Sequence, residues 1–285
     1  MVETYNASEQ RLYYIDEAAF GATPANPTML SVPEDSIEPS IDPGNIRLRG
    51  AGSGDLMAIK KGLRAATLKL SYPLPSDAPI NLLQYARNEL NKSLSMQLLY
   101  FKGVFSVATD IISLLFTGMK VNKASVSCSI EDVVRASLEL QGIDVAVGSA
   151  KISGATYTDY AGAVPFYESY VKKDAAAYDR VSDWTFNVEN NLKPVPVIRT
   201  TNGHLLKYLP SKKRDLSGSV TFEFESIQEA SDVLADSDFT LEFGLGGANK
   251  AVFSNCKWDG VSIPSKMDDL IALKAPFVAK TFTIS

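Results

Sequence analysis

Along this 285-residue chain, one order of segments occurs twice. The first matched piece is Ala66-Thr67-Leu68-Lys69-Leu70-Ser71-Tyr72 against Gly218-Ser219-Val220-Thr221-Phe222-Glu223-Phe224. Both alternate apolar and polar residues with period two, the pattern of a strand with one buried face. A helical segment follows in each half. In the second, Ser226-Ile227-Gln228-Glu229 has the spacing of a capping box, and Ile227, Ala230 and Leu234 fall on one helical face. In the first, Ser76-Asp77-Ala78-Pro79 opens the segment with a proline in the first turn, and Ile80, Leu83, Ala86 and Leu90 form the stripe. Leu94-Ser95-Met96-Gln97-Leu98 then matches Phe239-Thr240-Leu241-Glu242-Phe243. Finally Lys120 to Val134 matches Lys257 to Ile271, with Lys120/Lys257, Ser125/Ser262 and Asp132/Asp269 identical. The offset falls from 152 (66 to 218) through 145 (94 to 239) to 137 (120 to 257), as longer loops in the first copy would produce.

The repeat predicts two tandem β-rich domains, 1–143 and 184–285, joined by a connector over 144–183. Arg11-Leu12-Tyr13-Tyr14-Ile15 and Trp184-Thr185-Phe186-Asn187-Val188-Glu189-Asn190-Asn191-Leu192 read as the extended lead-in of each copy. Residues 24–62, punctuated by Pro24, Pro27, Pro33, Pro39 and Pro43, read as a long loop, and a loop of that length in a compact domain usually has a task. Within it, Asn45-Ile46-Arg47-Leu48-Arg49 and Met57-Ala58-Ile59-Lys60 alternate like hairpin arms around a glycine-rich tip. The connector is rich in aromatic and small residues and is expected to hold a strand and to pack on a neighbour.

Hydrophobic residues at 45% and charged residues at 21% are globular values. No apolar run reaches the roughly 18 residues of a membrane span. The polar stretch Met1 to Gln10 lacks the order of a secretory signal, so the chain is expected to be made in a cytoplasm. A net charge of −5 without a dense cationic cluster argues against a nucleic-acid grip. Lys60-Lys61 with Arg64, and Lys212-Lys213-Arg214, read as solvated loops.

Chemistry finds little support. Cys128 and Cys256 read as two buried free thiols, and a single histidine, His204, in a turn-like stretch, removes most metal sites and most nucleophile–histidine pairs. Gly50-Ala51-Gly52-Ser53-Gly54-Asp55 lacks the Lys-Ser or Lys-Thr ending of a phosphate loop and reads as a loop tip. Glu131-Asp132 and Asp268-Asp269 read as turn markers, because adjacent residues of a strand point to opposite faces. No catalytic, cofactor-binding or metal-ligating residue is assigned.

The polar faces of the alternating strands carry small hydroxyls and acids. Ser125, Ser127, Ser129, Thr221, Glu223, Glu225 and Glu242 are the candidates for a channel wall that does not hold a polyanion; an ordinary solvated sheet face is the plain alternative. Arg47, Arg49, Gly52, Asp55 and Lys60 mark the hairpin as a candidate docking element.

Phe186 to Leu192 (FNVENNL) and Met119 to Gly142 (MKVNKASVSCSIEDVVRASLELQG), with the strand–helix–strand order of each half, resemble the tail-tube proteins of tailed phages that carry two tube domains per chain. The resemblance spans about residues 11–285. It implies a mainly β (α+β) fold, each domain an antiparallel sheet or sandwich with one helix, whose strands close into a barrel only in a ring. Three such chains would form a pseudo-sixfold ring, and rings would stack through the 45–60 hairpin. The implied partners are other copies, tape-measure and tail-end proteins, and viral DNA passing without specific binding. The implied location is the virion tail, after assembly in the host cytoplasm, with no membrane insertion and no enzymatic activity. A tail-completion or distal-tail ring of the same fold remains the alternative reading, and a β-rich surface adhesin a more distant one.

Overall fold

The computed structural model describes residues 4–50, 52, 55–76, 81–87, 92–226, 228–263 and 271–285. Its strands in chain order are β1 (Gln10–Asp16), β2 (Thr28–Val32), β3 (Ser36–Asp42), β4 (Ile46–Arg49), β5 (Leu56–Lys60), β6 (Ala65–Pro73), β7 (Leu94–Phe101), β8 (Ile111–Ser129), β9 (Arg135–Gly142), β10 (Asp144–Gly148), β11 (Thr156–Thr158), β12 (Val171–Lys173), β13 (Ala176–Ala177), β14 (Val181–Glu189), β15 (Asp215–Glu223), β16 (Phe239–Gly244), β17 (Lys250–Trp258), β18 (Ala272–Val278) and β19 (Thr281–Ile284). Helix α1 (Asn81–Gln84) is a single turn and α2 (Gln228–Ala235) two.

One antiparallel run, β3–β6–β9–β8–β14–β15–β18–β17, forms the backbone of the molecule. Only the second half of the 19-residue β8 belongs to it. Its first half bends away to pair with β7 and β10, and β1 extends that layer. The second half of the chain does likewise: β17 turns away to pair with β16 and β19, and β12 lies on β16. The switch falls at Met119/Lys120 in β8 and at Cys256/Lys257 in β17, the lysines that the sequence aligns.

The two layers enclose one continuous core. Alternating residues of each strand point into it, among them Leu68 and Leu70 of β6, Val126 of β8, Phe186 and Val188 of β14, and Phe222 of β15. Phe186 is fully buried, with ring centroids 5.5 Å from Phe243 and 5.1 Å from Phe253. Burial of such a side chain contributes about 2–3 kcal/mol, and each aromatic pairing about 0.5–1.5 kcal/mol more. A satellite cluster of Tyr13, Met29, Leu99 and Phe101 is covered by Phe105 and Tyr157.

Several sequence expectations need correction. Residues 24–62 are not a long loop: β4 and β5 are the hairpin arms read from the sequence, and β2 and β3, which the prolines had hidden, precede them; Pro39 fits within β3 because that strand has only one described neighbour. The lead-ins are not counterparts. β1 pairs with β7 as β12 pairs with β16, while β14 pairs with β15 as β3 pairs with β6. The offset between β6 and β15 is 150 (65 to 215), two less than the sequence match, because a slip of two leaves the same side chains inside. Leu234 is 89% exposed, while Glu229 is buried and takes hydrogen bonds from Arg180 and Tyr178 instead of closing a capping box. Ser226 Oγ does accept the Gln228 N–H at 3.0 Å. Leu83 and Ala86 are fully buried as expected; Ile80, Leu90, Ile227 and the Asp268-Asp269 pair lie outside the described residues. Within the connector, Tyr157 packs on the chain's own Tyr13 at 4.7 Å.

Candidate functional site

The face of the long sheet turned away from the core is built in rows across both halves. One row runs Ser36–Ser71–Ser137–Ser125–Asn187–Ser217, and another runs Arg135–Ser127–Thr185–Ser219. A third, Ser129–Asp183–Thr221–Lys274, is tied by Ser129 Oγ donating to Asp183 at 2.9 Å. A fourth alternates charge, Glu38–Lys69–Glu139–Lys123–Glu189, and ends on Asp215; Lys123 pairs with Glu189 at 3.1 Å. On this face Glu38, Asp42, Glu139, Asp183, Glu189, Asp215 and Glu223 stand among Lys69, Lys120, Lys123, Arg135, Lys257 and Lys274, so acids and cations are nearly balanced and neither sign forms a dense cluster.

Five of the seven predicted wall residues, Ser125, Ser127, Ser129, Thr221 and Glu223, share this face. Glu225 follows the end of β15 and is exposed. Glu242 is elsewhere: on β16 in the other layer, it accepts from Tyr170 Oη at 2.7 Å and pairs with Lys250 at 3.1 Å, which holds its carboxyl below the usual range. Sequence reasoning missed the contribution of β3 and β9 to the face, because Ser36, Glu38 and Ser40 lie in the supposed loop.

The second feature is the β4–β5 hairpin, a two-stranded sheet joined to no other described strand. Arg47, Arg49 and Lys60 are exposed along it, with Gly52 and Asp55 toward its tip. Sequence reasoning stressed those charges, but the apolar side chains are as prominent: Met57 is 77% and Ile59 59% exposed. An isolated hairpin is marginal in water, and exposed apolar groups of this kind mark a contact surface.

The remaining polar chemistry is structural. Glu17 is buried and accepts from Ser93 Oγ (2.5 Å), Ser95 Oγ (2.8 Å) and the amides of Gly21 (2.7 Å) and Gly118 (2.8 Å). Asn190 donates to the carbonyls of Ala86 and Val121, tying the end of β14 to the first half. Cys128 and Cys256 are free and buried, and burial pushes their thiols up to about 11 and about 12. His204 contributes its carbonyl to the Arg64 amide, and Glu131 and Asp132 form the β8–β9 turn, Glu131 at φ 66°. No three described His, Cys, Asp or Glu side chains are grouped to hold a metal. No described helix is long and apolar enough to cross a membrane.

A family model described as "Phage tail tube protein" matches residues 7–279. No curated protein matches the chain. Among solved structures, a chain of the anti-feeding prophage baseplate, determined by cryo-EM with sixfold symmetrisation, aligns over 53% of this chain and 99% of its own, at 10% identity and a TM-score of 0.36. That likeness is too slight to bear on the fold.

Proposed function

The chain belongs to the phage tail tube protein family, and from that membership we propose that it is the ring-forming subunit of a tail tube through which a viral genome is delivered. The observation that carries this reading is the long sheet. It contributes one four-strand wedge from each half, β3–β6–β9–β8 and β14–β15–β18–β17, with a shared hydroxyl-rich face of interspersed charge. Three chains would supply six similar, non-identical wedges, and closure of the ring would remove the sheet edges that a lone copy leaves open.

In such a ring the polar face forms the lumen. Its interspersed acids and cations give phosphates no cationic cluster to bind, and its small hydroxyls offer water-like partners, so DNA slides past. The β4–β5 hairpin reaches the adjoining ring. Before ejection the lumen holds the tape-measure protein, and tail-end proteins cap the stack; assembly takes place in the host cytoplasm. The same pairing order in the two halves supports reading the chain as two tandem domains. Electron microscopy of the purified chain tests the proposal: stacked rings with threefold symmetry are expected, and monodisperse monomers at every concentration and salt would overturn it. Recovery of only a few copies per virion would favour a tail-completion or distal-tail ring.

A further inference from the structure

Strand β14 has a neighbour on both sides, β15 within its own half and the second part of β8 from the other half. Its positional counterpart, β3, pairs with β6 and has no second described neighbour. The counterpart of β8's second part is the stretch that follows β17. There Lys257 faces Val278 and Ser262 faces Lys274, repeating at an offset of 137 the facing of Lys120 with Gln141 and Ser125 with Ser137. Ser262 and Lys274 exchange both backbone hydrogen bonds, at 2.9 and 2.8 Å. Residues 261–263 therefore lie beside β18 through the Ser262–Lys274 bridge, with no described strand on their other side.

We propose that β3 of one copy pairs antiparallel with residues 260–263 of a second copy, in the register that β14 and β8 use inside the chain. Asn187 faces Ser125 and Val188 faces Ala124 in that internal seam. Transferred to the open edges, the register sets Ser40 opposite Ser262, Ile41 opposite Val261, Pro39 opposite Ile263 and Asp42 opposite Gly260. The inference deepens the ring reading and rests on it for the identity of the partner as another copy.

Two observations favour this occupant. First, the core-side residues of the internal seam are closed off, Phe186, Val188 and Val126 all at 0% exposure, whereas Ile41 and Ile263 at the open edges are 43% and 44% exposed. Both edges thus carry apolar side chains at the positions where the internal seam buries them. Second, the amide directions agree with an edge that waits for its partner. Ile130 N donates to Ser182 O and Asn190 N to Asn122 O, so even-numbered residues of β14 turn their amides toward β8. The matching residues of β3 are Ile37, Pro39 and Ile41, and Pro39 has no amide to offer. A proline turned outward on an edge strand deters indiscriminate pairing. The proposed register leaves Ile41 and Val261 as a full hydrogen-bonded pair beside it.

Ser40 and Ser262 would be a non-hydrogen-bonded pair, whose Cβ atoms lie about 4.5–5.5 Å apart, near enough for a disulfide after small adjustment. The test is oxidation of a Ser40→Cys/Ser262→Cys double variant, with each single variant as control and the buried native thiols retained. Non-reducing electrophoresis should show covalent dimers and trimers from the double variant and only monomer from either single one. Tubes in the microscope without this cross-link, or with a link instead between Asp42→Cys and Ser262→Cys, would overturn the register and leave the tube reading intact. A cross-link formed in concentrated solution without tubes would support the seam and count against the tube. As a check independent of disulfide geometry, Ile41→Asp should keep the wild-type melting temperature and lose assembly; assembly at wild-type concentration would overturn the seam.

Discussion

Gly118 and Asn255 hold the same left-handed backbone, at φ 66° and 52°, at the same place in two bent strands. Each lies where its strand carries one residue more than its partner: between Met119 and Phe116 opposite Leu94 and Met96, and between Cys256 and Phe253 opposite Phe239 and Leu241. A bulge of this kind bends the strand and increases its twist, which lets β8 and β17 each serve two layers. Glycine adopts the conformation freely, and asparagine is among the few other residues that tolerate it.

The two positions differ in what surrounds them, so their substitutions should differ. A Cβ at Gly118 would meet the Ile143 side chain at 2.4 Å. Gly118→Ala should therefore cost about 3 kcal/mol in urea unfolding, from backbone strain and overpacking together. Asn255→Gly should stay within about 0.5 kcal/mol of wild type. Equal effects at the two sites would contradict this account.

The carboxylate of Glu17 gathers four donors from three separate segments, and its removal leaves them without it. Glu17→Ala should destabilise the chain by about 3 kcal/mol, since buried unsatisfied donors bear their full desolvation cost. Hydrogen exchange should localise the loss, with the Gly21 and Gly118 amides losing protection before the β14–β15 pairs do.

Much of this architecture was legible in the sequence because strand alternation and its repeated order survive divergence. The offset of 145 between Leu94 and Phe239 and that of 137 between Lys120 and Lys257 hold in the strand pairing. The failures have physical reasons. Alternation cannot distinguish a register from one displaced by two, so the β6 match slipped. Proline was read as a loop marker, and β3 was lost with the row Ser36, Glu38 and Ser40. Glu242 alternates as an outward residue should, but its outward side is covered by Tyr170 and Lys250. Nothing local in the sequence signals that Glu229 is buried against Arg180, because the partners are 49 residues apart.

Stability should also respond to pH through Glu34. Burial pushes its carboxyl from an ordinary value of 4.5 up to about 7. A raised carboxyl favours the protonated folded state, so its contribution is fully present below about pH 4.5 and is lost as pH rises through about 7. Glu34→Gln should flatten this part of the stability curve and raise the melting temperature at pH 8 more than at pH 4. An equal shift at both would rule out the titration.

The hairpin should separate stacking from folding. Met57 and Ile59 are exposed and contribute little to the chain's own core. A Met57→Ser/Ile59→Ser variant should unfold within about 0.5 kcal/mol of wild type, as surface substitutions usually do. If the hairpin joins rings, sedimentation should find single rings where wild type gives long tubes. Tubes of normal length would assign the stacking contact elsewhere.

The hydroxyl-rich face, without a cationic cluster, makes a prediction about DNA that charge alone decides. Ser125 and Thr221 flank β14 on that face, directly opposite Asn187 and Asp183 respectively, and neither belongs to the core. Ser125→Lys with Thr221→Lys adds two cations per chain without touching the buried side, so rings and tubes should form as before. If this face lines the lumen, each ring of three chains gains six positive charges around the DNA path. Short duplex DNA should then bind to variant tubes at low salt and be released steeply as salt rises, because phosphate neutralisation is driven by counterion release. Wild-type tubes should hold little DNA under the same conditions. Electron microscopy distinguishes where the DNA lies: density within the bore supports the assignment, whereas DNA decorating the outer wall would turn this face outward and overturn it.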